Sequence, residues 1–137
     1  MTERGAVGAV LDEFHAAAAA ADEERYFATL DPDVVFLGTA PGERWAGDAW
    51  REFVHGYFSR GKGWTYVASN RAVEISVDRH AAWFDETVEN TSYGVCRGSG
   101  VLRRDEEWRI VQYNLTIPVP DELAPELVTR IREMRPA

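Results

Sequence analysis

His80–Asn90 (HAAWFDETVEN), Tyr93–Arg104 (YGVCRGSGVLRR) and Glu107–Pro118 (EWRIVQYNLTIP) are three successive runs of strand length. They are rich in Trp, Tyr, Val, Ile and Thr and are separated by polar turn residues, so adjacent antiparallel pairing is the simplest arrangement for them. A first turn at Thr91-Ser92 sets Val88 opposite Val95, Glu86 opposite Arg97, Phe84 opposite Ser99 and Ala82 opposite Val101. A second turn at Glu106-Glu107 sets Val101 opposite Gln112, Ser99 opposite Asn114 and Arg97 opposite Thr116. Side chains alternate along a strand. This register therefore gathers Phe84, Glu86, Arg97, Ser99, Val101, Trp108, Ile110, Gln112, Asn114 and Thr116 on one face. The other face collects Trp83, Asp85, Cys96, Leu102, Val111, Tyr113 and Leu115. Convergent polar groups amid apolar neighbours make the first face the expected lining of a ligand pocket. A slip of one residue would exchange the faces.

Upstream, Trp64–Val77 alternates with Val73, Ile75 and Val77 on one face, and a turn at Asp78-Arg79 brings Arg71 beside Glu86. The N-terminal segment carries Val7, Val10, Leu11, Phe14, Ala18 and Ala21 at helical spacing, over roughly residues 3 to 20. Asp22 opens a second, shorter helix with Tyr26, Phe27 and Leu30 as its apolar set, and Asp31-Pro32-Asp33 stops it. Residues 34–39 (VVFLGT) read as a buried strand, and residues 41–47 (PGERWAG) as a loop. Asp48 is placed to cap a third helix, whose face holds Trp50, Phe53, Val54, Tyr57 and Phe58. Beyond Pro118 and Pro120, Asp121 opens a tail helix with Leu123, Leu127, Val128, Ile131 and Met134 on its apolar side. Helices segregated from a run of antiparallel strands predict an α+β domain, a strongly curved antiparallel sheet with helices on its concave face. Gly94, Gly98 and Gly100 in the central strands permit the bend. The concave interior is the expected pocket, a cone.

The 137 residues are expected to form a single domain, 1–137. A net charge of -8 argues against nucleic acid and anionic membrane as partners. The single cysteine, Cys96, excludes an internal disulfide and reads as a small buried strand residue. There is no apolar run of spanning length and no signal-peptide profile, so a cytoplasmic location is expected. His15, His55 and His80 are scattered, which gives no metal site, and no cofactor is expected. Gly61-Lys62-Gly63 follows a helix, whereas a phosphate loop precedes one.

The segments FLGTAPGERWAG, WFDE, YGVCRGSGVLRRDEEW and above all WRIVQYNLTIPVP resemble a SnoaL-like member of the nuclear transport factor two-like superfamily. That fold, a cystatin-like roll, is shared with ketosteroid isomerases and the association domain of calmodulin-dependent kinase. The resemblance covers nearly the whole chain and implies the cone. It leaves function open, because the superfamily hosts isomerases, cyclases, hydrolases, binding proteins and assembly modules. Related members carry two histidines on the last strand where this chain has Gln112 and Asn114. Ketosteroid isomerases place a tyrosine where Phe14 stands and a carboxylate base near Gly38-Thr39, so their chemistry is not expected here.

Two functional readings follow. The first is a small-molecule-binding domain, with acid–base catalysis such as isomerisation or cyclisation as its extension. Its pocket candidates are Glu86 with Arg97 and Arg71, then Ser99, Gln112 and Asn114 as neutral hydrogen-bonding groups. Trp64 and Trp108, with Trp45, are candidate walls, while Phe14 and His15 approach from the first helix. An arginine beside Glu86 favours an anionic or carbonyl-bearing ligand. Each of these groups also has a plainer reading: a self-satisfied ion pair, an internal hydrogen-bond network, or ordinary core. The second reading is a non-catalytic association module. Trp83, Leu102, Val111, Tyr113 and Leu115 would then form a homodimer face.

Overall fold

The computed structural model describes residues 2–135. Its elements are α1 (Glu3–Ala20), α2 (Glu23–Ala28), β1 (Leu30–Leu37), β2 (Arg44–Ala46), α3 (Asp48–Phe58), β3 (Val67–Ile75), β4 (Ala81–Asn90), β5 (Gly94–Arg104), β6 (Trp108–Thr116) and α4 (Ala124–Met134). The strands form one six-stranded, curved and unclosed sheet in the order β2-β1-β6-β5-β4-β3. All neighbours pair antiparallel except β1 and β6, which run parallel. The expected α+β architecture is thus present. At the β1–β2 edge two details differ from expectation: β2 replaces part of the 41–47 loop, and β1 begins four residues early, at Leu30.

α1 forms because Thr2 caps it, its hydroxyl accepting the Gly5 N–H at 3.0 Å, and because its alanines favour helix while allowing close approach. Val7, Leu11, Phe14, Ala17 and Ala18 make the buried stripe. At its C-terminal end Gly63 lies so near the Ala18 carbonyl that a Cβ would sit 2.0 Å from the oxygen. This close seat lets the Trp64 N–H donate to the same carbonyl at 3.2 Å. α3 presents Trp50, Val54 and Phe58 inward at helical spacing. It starts at Asp48, but the residue before it, Gly47 at φ 53°, takes the capping position without a side-chain bond. α4 also differs from expectation. Its cap position is Leu123, not Asp121, and its large apolar residues Leu127, Val128, Ile131 and Met134 are all exposed.

The sheet register departs from the sequence reading at one hairpin, and the consequence is large. Glu86 lies opposite Gly98, Val88 opposite Cys96, Phe84 opposite Gly100 and Ala82 opposite Leu102. The turn holds three residues, Thr91, Ser92 and Tyr93, with Asn90 paired to Gly94. Two features drive this. The Asn90 side chain accepts the N–H groups of Ser92 (2.8 Å) and Tyr93 (3.1 Å), and Gly94 adopts φ 72°. A three-residue loop closed by a left-handed glycine is a standard hairpin solution. The extra residue rotates all of β5 relative to β4. Between β5 and β6 the pairs Arg97–Thr116, Ser99–Asn114 and Val101–Gln112 form as expected. A bulge between Val101 and Leu102 then shifts the remainder, with Leu102 opposite Ile110.

Inward-facing β4, β5 and β6 residues therefore include Ala82, Phe84, Glu86, Val88, Cys96, Leu102, Ile110, Tyr113 and Leu115, all buried. The rings of Phe14, Tyr26, Phe36, Trp50, Phe84 and Tyr113 pack together against the concave face, with centroids 4.1 to 5.7 Å apart. The interior of the cone is mostly solid aromatic core.

Candidate functional site

Glu86 sits mid-strand on β4 with no side-chain exposure, where an isolated carboxylate would be prohibitively desolvated. Three donors converge on it. His15 Nε2 on α1 lies 2.6 Å from Oε2, the Tyr113 hydroxyl on β6 donates to Oε2 at 2.8 Å, and Arg71 Nε on β3 donates to Oε1 at 2.7 Å. A local irregularity in β3 brings Arg71 there: the pairing with β4 jumps between Ser69 and Ala72, and Asn70 takes φ 50°. Tyr113 reaches because Gly98 lies beneath it; a Cβ at 98 would be 2.1 Å from the hydroxyl oxygen. Arg71 also donates to Asp12 Oδ1 (2.8 Å) and the Gly8 carbonyl (3.1 Å), so it clamps α1 to the sheet.

Burial pushes the Glu86 carboxyl up, but His15, Arg71 and Tyr113 together outweigh it and hold the group below the usual carboxylate range. Burial, with the Glu86 charge beside it, pushes the Tyr113 hydroxyl far up, so it remains a donor. Three protein donors take up most of the roughly four acceptor sites of this ionised carboxylate, which leaves it little capacity to accept a substrate proton. The group is a buried structural hub.

The structure separates several residues that the sequence placed together. Arg97 is exposed and lies on the convex face with Ser99, Gln112 and Asn114, opposite to Glu86. There Gln112 Nε2 donates to Asn114 Oδ1 (3.2 Å) and Asn114 Nδ2 to Ser99 Oγ (3.3 Å), an internal polar network. Trp108 is buried under the start of α1, its indole N–H donating to Glu3 Oε2 at 2.9 Å. Phe14 is buried beside Tyr26 and Tyr113. Leu102, Tyr113 and Leu115, expected on a dimer face, are in the core instead. Trp83 is half exposed on the convex face, and Val111 lies at the bulge, partly buried. The cause throughout is the one-residue shift at the Asn90–Gly94 turn, together with the β5–β6 bulge.

A cleft of about 290 Å³ opens at one end of the concave face. Phe36, Gly38 and Thr39 at the end of β1 form one side, with Glu43 and Trp45 beside them. Trp50 and Phe53 from α3, then Trp64 and Tyr66 ahead of β3, form another. Asn90, Ser92 and Tyr93 of the β4–β5 turn and Leu115 complete it. Its rings lie close together: Phe36 stacks on Trp50 at 4.1 Å, Trp45 packs on Phe53 at 4.8 Å, and Trp64 lies 6.1 Å from Trp50. Burial, reinforced by Cys96 and Tyr93, pushes the Tyr66 hydroxyl up to about 12, so it stays neutral. The Glu86 hub does not open into this space; Tyr113, stacked on Phe36 at 5.7 Å, stands between them. Sequence reasoning identified Trp64 and Trp45 as walls. It missed Glu43, which lay in a stretch read only as a loop, and Phe36, Tyr66 and Tyr93, which were read as parts of strands and not as pocket walls.

A family model described as a SnoaL-like domain matches residues 7–120. No curated protein matches the chain. Among solved structures, a protein from Novosphingobium aromaticivorans provisionally named a scytalone dehydratase superposes with a TM-score of 0.71 at 16% identity, covering 85% of this chain and 85% of that one. An NTF2-like protein from Cytophaga hutchinsonii gives a TM-score of 0.70 at 18% identity, covering 86% of this chain and 100% of that one. An uncharacterised protein with a cystatin-like fold from Caulobacter vibrioides gives 0.68 at 17% identity, covering 93% and 97%. At these identities the likeness is one of fold.

Proposed function

We propose, for a chain that belongs to the SnoaL-like domain family, that the open end of its concave face binds a compact, largely apolar small molecule. One observation carries this reading: the cleft is walled by partly exposed rings of Trp45, Phe53, Trp64, Tyr66 and Tyr93, arranged around an open space of about 290 Å³. Converging aromatic surface with a few polar groups is the usual makeup of a ligand site. The volume lies near the small end of such sites and suits a ligand of one or two fused rings. An anionic ligand was expected from Arg97 inside the cone, and with Arg97 on the convex face that support is gone. The provisional dehydratase name of one structural neighbour keeps a carbonyl-bearing ligand in view.

Coumarin, a neutral planar carbonyl compound, tests the cleft. It should quench the fluorescence of wild-type protein saturably. A Ser92→Trp variant, which adds a bulky ring at an exposed turn position on the cleft rim, should fold normally and lose that binding. Equal affinity in both proteins would place the ligand elsewhere.

Homodimerisation remains a second proposal, on a narrower patch. Trp83 is 50% exposed directly opposite Val101, which is 37% exposed, on the convex face. A Trp83→Glu variant should run as a monomer in light scattering if this patch is the interface, and an unchanged mass would exclude it.

A further inference from the structure

The charge lining the cleft carries more information than its shape. Among the described residues that form it there is no Lys, Arg or His, while Glu43 contributes a carboxylate. That carboxylate pairs with no cation among the described residues; its Oε1 accepts the Ala40 N–H at 2.9 Å. The side chain is held in place by its own loop. Gly38 leaves room for it, since a Cβ there would lie 2.8 Å from Glu43 Oε2 and 2.9 Å from Cδ. The Gly38 N–H donates to the Glu43 carbonyl at 2.9 Å, which closes the loop behind it. The next residue, Arg44, does not neutralise it. Alternation along β2 turns Trp45 into the cleft and leaves Arg44 exposed.

Aromatic ring faces carry the negative end of a quadrupole, and several rings around one space attract a cation most strongly where water is excluded. Here five partly exposed rings and one uncompensated carboxylate face the same volume, and Tyr66 adds a neutral hydroxyl. A buried anion would find no opposite charge in this lining, and a neutral ligand would leave Glu43 unmatched. We infer that the cleft takes an organic cation, an amine or a quaternary ammonium group carried on a small apolar body. This rests on the reading of the cleft as a ligand site. It adds the charge of the ligand. The net charge of -8 acts in the same direction, by raising the local concentration of cations around the protein.

Three probes of nearly one shape isolate the charge: benzyltrimethylammonium, neutral neopentylbenzene and anionic phenylmethanesulfonate, each titrated against the wild-type protein by calorimetry, alongside coumarin. The cation should bind about tenfold or more tighter than the neutral isostere, the order expected for a desolvated cation–π site. The anion should not bind. A Glu43→Gln variant should weaken the cation selectively and leave neopentylbenzene unchanged. Neutral or anionic probe binding as tight as the cation, or a Glu43→Gln variant that weakens cation and neutral probe equally, would overturn the inference. If coumarin binds in that case, the charge assignment alone fails and the cleft stands. If neither coumarin nor any of the three probes binds, the cleft reading fails with it.

Discussion

At Glu86 a fully buried carboxylate receives donors from α1, β3 and β6 at once, so its ionisation is tied to the seating of the first helix. Its folded-state pKa is depressed below the ordinary 4.5, so the charge stabilises the fold above that pH. The contribution is lost as pH falls below 4.5 and through the lower folded value. Urea unfolding of wild type and Glu86→Gln should show this directly. The variant should be less stable at neutral pH by about 1–3 kcal/mol, the cost of weakening charged hydrogen bonds, and the gap should narrow below pH ~4. A gap independent of pH would show that ionisation of Glu86 does not stabilise the fold. Gly98 is the complementary residue: a methyl group there meets the Tyr113 hydroxyl at 2.1 Å. Gly98→Ala should cost about 1–3 kcal/mol through overpacking, with chemical denaturation as the check. The sequence made part of this hub legible. Arg71 beside Glu86 followed from the β3–β4 register, which the structure keeps at Ile75–Ala82 and Val73–Phe84, although the connection is a longer turn closed by the Arg79 N–H on the Ser76 carbonyl and not a two-residue turn at Asp78-Arg79. His15 was a pocket candidate approaching from the first helix, and its ring bonds the buried Glu86. Tyr113 was assigned to the wrong face, because facing residues were inferred by counting through a turn whose length was misjudged.

Among the elements, the β4–β5 hairpin shows why register is the weakest inference from a single sequence. Both strands were recognisable from their β-branched and aromatic content, yet their facing depended on whether the turn held two residues or three. The signals for three were present in Asn90, which accepts two turn N–H groups, and Gly94 at φ 72°. Asn90 was read as the end of the first strand, and Gly94 as a glycine permitting a bend within the second. α4 offers the opposite case. Its amphipathic pattern was legible, but amphipathicity identifies a face and not a partner. In the structure Leu127, Val128 and Ile131 are each about two-fifths exposed and Met134 more so. Ending the chain after Pro120 should therefore leave stability within about 0.5 kcal/mol of wild type, as for changes remote from the core. A large fall in the denaturation midpoint would mean that α4 packs on the fold in solution.

For the molecule as a whole, the division of labour runs along the concave face. Its middle is closed by Phe14, Tyr26, Phe84 and Tyr113 around the Glu86 hub, which ties helix to sheet. Its open end holds the cleft, where α3, the β1–β2 loop and the β4–β5 turn bring aromatic groups from distant parts of the chain together. The fold class was legible because it depends on element order. The cleft was only partly so, because Glu43, Tyr66 and Tyr93 come together through the tertiary course of the chain, which no local periodicity describes. No helix among the described residues is long and apolar enough to cross a membrane. The five tryptophans provide an internal test of the central claim. Trp45, Trp50 and Trp64 line the cleft, whereas Trp83 lies on the convex face and Trp108 under the start of α1. Their indole N–H resonances can be followed together in a nitrogen–proton NMR titration with coumarin. Saturable shifts confined to Trp45, Trp50 and Trp64 are the predicted result. Shifts centred on Trp83 or Trp108, or no shift at any of the five at saturating coumarin, would contradict the account.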